Sequence, residues 1–417
     1  MTTEASSSKR TSDEIKEESD KPLCKFGPLC YRKNPAHLRE FAHPNRKAEA
    51  TRSSPKASPV SNPAKKLKIS PPLVPEPQHA DAAFLQECYE TPFPEDFFDL
   101  WNFCKALNPG NPREALVPLV NYRLIGPFDA LALKDCVDKT DKKSFNLHCR
   151  YYYDPPEFQT LMVEVGTDNH YGYFRDDPND FPVFVANSQL SRKDIHPWKL
   201  VIVGANLMQT VNILLKDRIK ECAADSEQKT ILTEQLAKVT ALSQNKHFVS
   251  YKSKRKTRAL GSCLHHVGMV VPYEDKTQVG YRPLPVSNVE LRKMMQCVDN
   301  ASEASLVEAL TPIQNIVTLV NFANDECDYG MGLELGLDLF LFGSPHLHKT
   351  ALFLLGNAYM LLERPKFLEI LKDHIENRRK DGLEYLKLIP NCELKNSGES
   401  SDSPAESSSV PLQEPFP

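Results

Sequence analysis

Between Thr311 and Phe342 the chain sets two apolar runs almost end to end, with a short acidic break between them. The first run, Thr311 to Phe322, puts Ile313, Ile316, Val317 and Val320 on one helical face. Thr311 is placed to cap that helix and Pro312 to occupy its first position. The second run, Leu333 to Phe342, is dominated by Leu and Phe and reads as buried. The break lies within Asn321 to Gly336 and holds Asp325, Glu326 and Asp328, followed by glycines at 330, 332 and 336. Two core helices therefore deliver carboxylates to one spot. Like charges crowded there, with partial burial, raise at least one pKa and move a Glu from its reference near ~4.3 towards a useful general base. The pattern alone is equally satisfied by a structural reading, in which Asp325 or Asp328 caps the second helix and stabilises its dipole.

At 417 residues and 41% hydrophobic, the chain can bury one large core or two modest ones, and 33 prolines assign a sizeable share of it to linkers. A net charge of -4 gives no general attraction to nucleic acid, so any such contact must be local. Eleven cysteines at irregular spacing argue against a disulfide framework, and MTTEASSSKR has no apolar segment of the secretory kind. A reducing, intracellular compartment is expected, with no apolar run approaching the ~18 residues of a membrane span.

Residues 1–20 read as disordered. Residues 21–45 contain Cys24, Cys30, His37 and His43, two thiolates and two imidazoles that complete a tetrahedral zinc site in a segment too short to fold unaided. The spacing is not that of the finger that reads DNA bases, so sequence-specific DNA binding is not expected. Residues 46–80 form a flexible basic linker in which PAKKLKI, Pro63 to Ile69, has the composition of a nuclear import signal.

The aromatic series from Phe84 to Leu107 predicts a mainly helical lobe over 81–140. Residues 141–390 read as an α+β domain. Five short runs, FNLHCRYYY, FQTLMVEV, HYGYFR, FPVFVAN and KLVIVG, are split by turn residues too few for crossover helices, which predicts a largely antiparallel sheet. Helices are expected over Ala205–Cys222, Glu227–Leu242, Pro345–Leu362 and Lys366–Leu388, and a buried strand over His265–Pro272, with His265 and His266 structural. Lys246 to Arg258 is strongly basic and reads as a solvated loop or a contact for phosphate or an acidic partner. Tyr281 and Arg282, in VGYRPLP, have the composition of an interface anchor, although a Tyr packed on the core beside a solvated Arg fits the same residues. Residues 391–417 form a disordered tail. The fold class is thus α+β: a helical lobe and a largely antiparallel sheet packed with helices, preceded by a small zinc finger on a disordered linker.

Two resemblances bear on function. Cys24, Phe26, Gly27, Cys30, Tyr31, Arg32, Lys33, Asn34, Pro35, His37, Phe41, His43 and Pro44 resemble the pattern of the poly(ADP-ribose)-binding zinc finger. That likeness implies that Phe26 and Tyr31 stack on adenine while Arg32 pairs with phosphate, the interactions expected of aromatic rings and a planar guanidinium. Some fingers of this kind have Tyr at the position of Phe26, whose ring lacks the hydroxyl. The second resemblance covers about Ala80 to Leu388. VGYRPLP, followed some forty residues on by NDECDYGMGLELG, is similar to the histone PARylation factor family, accessory subunits of DNA-damage-activated poly(ADP-ribose) polymerases.

The resemblance implies a nuclear protein acting at chromatin and DNA-damage sites. Its partners would be poly(ADP-ribose) polymerases one and two, histones and poly(ADP-ribose), with no membrane. NAD would be bound by the polymerase. Glu326 would be the base that takes the proton of a substrate serine, Asp325 would help hold the joint site, and Tyr281 and Arg282 would anchor the interface. The chain has no P-loop, dinucleotide fingerprint or nucleophile elbow. Two alternatives remain: a self-sufficient ADP-ribose hydrolase or transferase with Glu326 and Asp325 as its carboxylate pair, and a poly(ADP-ribose) reader with a scaffold domain.

Overall fold

The structure is a computed structural model and describes Ala42 and residues 80–190, 196–223, 226–244, 255 and 257–380. The expectations placed on residues 21–41 and 43–79, on most of Lys246 to Arg258 and on the tail from 381 lie outside the described residues.

The aromatic series forms two helices, α1 (Ala80–Tyr89) and α2 (Glu95–Leu107), and its rings are buried together. Phe97 of α2 stacks on Phe128 of α4 (Pro127–Ala132), their centroids 4.1 Å apart, while the short α3 (Val117–Val120) closes the lobe. Asp96, although buried in α2, accepts from the Tyr173 hydroxyl at 2.8 Å and from the Leu207 N–H at 2.9 Å. A buried carboxyl with two donors fixes the lobe onto the sheet.

That sheet is a five-stranded antiparallel meander in the order β1 to β5: Tyr122–Leu124, Phe158–Glu164, His170–Phe174, Phe184–Ser188 and Leu200–Gly204. Period-two alternation sends Tyr171, Tyr173 and Val185 into the core shared with the helical lobe. Phe174, Phe184 and Ala186 project from the opposite face, where Val267 packs on them. Four of the five expected runs are strands. The first is not: Phe145 to Leu147 end a helix, α5 (Lys142–Leu147), and the fifth strand is Tyr122–Leu124, within the stretch expected to be mainly helical.

After β5 come α6 (Leu207–Glu221) and α7 (Glu227–Gln244). The second core is built by α8 (Asn288–Asp299), α9 (Leu306–Asp325), α10 (Tyr329–Phe342), α11 (His348–Leu361) and α12 (Pro365–Asn377). Every residue of α10 from Gly330 to Leu341 is buried.

Several local expectations need correction. Helix α9 starts at Leu306, so Pro312 lies inside it and forgoes one backbone hydrogen bond. Leu306, Ala309 and Leu310 pack on the core and carry the helix back past the proline. Over its 20 residues α9 is also long and apolar enough to cross a membrane by length and composition. One of its faces packs in the core through Ile313, Ile316, Val317 and Val320. The run His265–Pro272 is not a strand, because His266 (φ 65°) and Gly268 (φ 67°) break the extended path and leave only a Leu260–Met269 bridge. Arg255 neither faces solvent nor awaits a phosphate: it is buried, paired with Asp176, and donates to the Val267 and Gly268 carbonyls. Helix α12 stops at Asn377, well short of Leu388, as the Arg378 guanidinium turns back between the Tyr152 and Phe340 rings, 4.0 Å from each centroid.

Candidate functional site

The join between α9 and α10 is a tight reversal. Cys327 adopts a left-handed conformation (φ 65°), its N–H donates to the Asn324 carbonyl at 3.0 Å, and the Asp328 N–H donates to the Ala323 carbonyl at 2.8 Å. This is the Schellman closure, made with a cysteine where glycine is usual, at a cost of about 1–2 kcal/mol. The reversal leaves Glu326 on the rim and turns Asp328 inwards, with side chains 18% and 7% exposed.

The segment Gly280–Arg282 docks on this join. Gly280 N–H donates to Asp328 Oδ1 at 3.0 Å, and Gly330 N–H donates to the Gly280 carbonyl at 2.9 Å. Both glycines are required by the approach. Gly280 has φ 120° and a Cβ there would stand 2.0 Å from the Pro272 carbonyl oxygen, while a Cβ on Gly330 would meet the Tyr281 ring at 2.9 Å. From this bracket Tyr281 and Arg282 diverge. Tyr281 turns towards the core and donates its hydroxyl to Glu334 Oε2 at 2.9 Å. Arg282 reaches along the join, where Nη2 donates to Asp328 Oδ2 at 2.8 Å and to Glu326 Oε2.

Sequence-distant residues thus converge: Arg282, Glu326 and Asp328 form one ionic group, and Tyr281 lies beside it. Asp325, the last residue of α9, is exposed and is not a cap for α10. Asp328 does hold the N-cap position, but its carboxylate serves Gly280 and Arg282 and makes no capping bond. The capping reading is therefore corrected. So is the picture of like charges facing one another, because a guanidinium sits between Glu326 and Asp328. Burial pulls the Arg282 pKa down, but the two carboxylates outweigh it and hold it above its ordinary value.

The carboxyls that burial pushes up lie deeper in α10. Glu334 is raised by desolvation despite accepting from the Ser262 N–H at 2.8 Å and from Tyr281. Asp338 is raised well above the carboxylate range by burial, with Oδ1 accepting from the Leu264 N–H at 2.7 Å. Burial, and then Glu334, push the Tyr281 hydroxyl up in turn. Glu334 as the seat of Tyr281 and Asp328 as the second anchor of Arg282 were not anticipated. A signal was present: acids at 334 and 338 interrupt an otherwise apolar run, and such groups survive burial only with partners.

One helical face leads to the rim. Leu319 and Phe322, two turns and one turn before Glu326, are 43% and 58% exposed, so an apolar surface adjoins an accessible carboxylate. His265 is buried, its Nδ1 3.2 Å from the Val267 N–H, and burial then Arg255 lower its pKa to about 3, as a structural histidine requires. The proposed finger residues, Cys24, Phe26, Cys30, Tyr31, Arg32, His37 and His43, lie outside the described residues; their Cys2His2 donor set is one that suits zinc.

A family model for histone PARylation factor 1 matches residues 80–378, and one for the PBZ domain matches residues 21–46. The chain is 41% identical to histone PARylation factor 1 of Bos taurus, over 72% of this chain and 87% of that protein. It is 38% identical to histone PARylation factor 1 of Mus musculus, over 72% and 88%, and 37% identical to that of Danio rerio, over 73% and 88%.

Proposed function

The chain belongs to the histone PARylation factor family, in the version with an N-terminal PBZ domain, and from that premise we propose that it completes the active site of a DNA-damage-activated poly(ADP-ribose) polymerase. The partners in this reading are poly(ADP-ribose) polymerases one and two, and the acceptors are serines of histones and other proteins. The observation that carries the reading is the tie between base and docking loop: Arg282, beside Tyr281, holds Glu326 on an exposed rim next to Leu319 and Phe322. A partner that engages Arg282 and the apolar face draws the guanidinium away and releases the Glu326 carboxylate in the same event. Asp325, exposed beside it, belongs to the contact surface.

The polymerase binds NAD. As the glycosidic bond to nicotinamide breaks, the serine Oγ attacks the ribose carbon and its proton passes to Glu326. A neutral hydroxyl is a weak nucleophile, and a positioned base contributes about 10²- to 10⁴-fold. Because the base is supplied in trans, serine selection depends on assembly of the complex. The PBZ domain, through Cys24, Cys30, His37 and His43, would hold zinc, and Phe26, Tyr31 and Arg32 would bind poly(ADP-ribose). PAKKLKI would direct the chain to the nucleus.

The test is to add the chain to the DNA-activated polymerase with a histone substrate and map the acceptor residues, wild type against Glu326→Ala. Serine modification is expected with the wild type and is lost with Glu326→Ala, while complex formation persists. Unchanged serine modification by Glu326→Ala would leave a scaffold reader, and NAD consumption or ADP-ribose release by the isolated chain would establish a self-sufficient enzyme. Cys30→Ala should abolish poly(ADP-ribose) binding and leave partner-dependent serine modification intact.

A further inference from the structure

The turn that follows α5 brings together three metal-ligating side chains. His148 ends the helix (φ -59°, ψ 119°) and Cys149 follows in a left-handed conformation (φ 53°), which aims both at Asp129 of α4. Asp129 Oδ2 lies 3.6 Å from His148 Nε2 and 3.9 Å from Cys149 Sγ, and the ligating atoms of all three fall within 4.8 Å of one another. We propose that Asp129, His148 and Cys149 bind a zinc ion, at a site separate from the PBZ domain.

The geometry is close to what zinc needs. Bonds of about 2.0–2.1 Å to nitrogen and oxygen and about 2.3 Å to sulfur give tetrahedral edges of roughly 3.3–3.6 Å. The Asp129–His148 and Asp129–Cys149 separations exceed these by a few tenths of an ångström, and the third lies within 4.8 Å, so small side-chain rotations would close the set.

The imidazole gives the independent evidence. The His148 side chain is 1% exposed, and its Nε2 has no hydrogen-bond partner although it faces the cluster. A buried ring nitrogen in that condition is costly. Its other nitrogen, Nδ1, lies 2.9 Å from the Tyr89 hydroxyl. With Nδ1–H donating to that oxygen, the Nε2 lone pair is directed into the cluster, as in metal-bound histidines whose other ring N–H donates to a neighbouring oxygen.

The remaining ligands are positioned as well. Asp129 Oδ1 accepts from Arg113 at 2.8 Å, and Oδ2 accepts from the Gly126 N–H at 2.7 Å and from the Cys149 thiol at 3.9 Å, a lone pair that loss of the thiol proton would free for the ion. Zinc binding forms the sulfur–zinc bond and releases the thiol proton to solvent. One thiolate and one carboxylate then balance the charge of the ion. His148 and Cys149 also line a partly open cavity of about 20 Å³, room for about one water. A mixed thiolate and imidazole set favours zinc over magnesium or calcium. The ion would clamp α4 to the turn after α5 and so brace the helical lobe.

The experiment uses the full chain with Cys24→Ser and Cys30→Ser, which removes the PBZ zinc. After gel filtration, metal analysis should find about one zinc per chain. Adding Cys149→Ser or Asp129→Asn should bring this to background in chains whose circular dichroism is unchanged. Tyr89→Phe should keep the stoichiometry but weaken the affinity by about 10- to 100-fold. Cobalt loading should give a thiolate-to-cobalt charge-transfer band that disappears with Cys149→Ser. A folded, PBZ-blocked chain that takes up no zinc from a zinc-supplemented buffer overturns the proposal, as does zinc retained undiminished by Cys149→Ser.

Discussion

Glu326 and Glu334 lie eight positions apart on one short stretch of chain, and the fold gives them opposite surroundings. Glu326 stands on a rim, against a guanidinium and beside exposed Leu319 and Phe322. Glu334 lies under Tyr281 at 3% exposure, and Asp338, one turn on, is fully buried. Judged by pKa alone, the buried pair would be taken for the functional acids, since desolvation raises both. A general base also needs a route for the substrate, and only the rim provides one. A perturbed carboxyl can therefore belong to the scaffold that aims a site.

The largest effect expected from this contrast is at the rim. Glu326→Gln should lower partner-dependent serine modification by about 10²- to 10⁴-fold, measured as initial rate, with a melting curve close to wild type. A similar rate loss from Asp338→Asn, without loss of stability, would reverse the assignment. Arg282→Ala comes next, and should weaken binding to the polymerase by roughly 30-fold or more in a pull-down titration or by calorimetry. Undiminished binding would move the docking surface off the VGYRPLP loop.

Smaller effects belong to the buried side. Tyr281→Phe removes the hydroxyl that Glu334 accepts from, and should cost about 1–3 kcal/mol in denaturant unfolding. The smallest concerns pH. A carboxyl raised in the folded state binds more protons there than in the unfolded chain, so its favourable contribution is complete below the unfolded value and is lost as pH rises through the folded one. Wild-type stability should therefore decline as pH climbs above the ordinary Asp value of 3.8, and Asp338→Asn should flatten that decline. An unchanged slope would show that Asp338 is not held protonated by burial.

Much of the architecture was legible because it is written in local periodicity. The aromatic spacing of α1 and α2, the alternating strands β2 to β5 and the two apolar runs around the acidic break each follow from one segment. Errors occurred where a distant contact overrode a local signal. Pro312 marks a helix start until Leu306 and Leu310 find the core, and FNLHCRYYY resembles a strand until its first residues close α5. A basic stretch looks solvated until Arg255 is seen paired with Asp176 and close to the stacked Phe174 and Phe184 rings.

The sequence by itself determined the α+β class, the family, and the presence of acids in a break between two buried helices, since these depend on residue type and short-range spacing. Tertiary structure alone decided which acid faces solvent and what each one holds. Arg282 meets Glu326 across 44 positions of sequence and Asp129 meets His148 and Cys149 across about 20, and no local pattern encodes either encounter. Such pairings exist only once the cores have packed, because an ion pair or a metal cage needs its members fixed within a few ångströms, and only the folded chain fixes them.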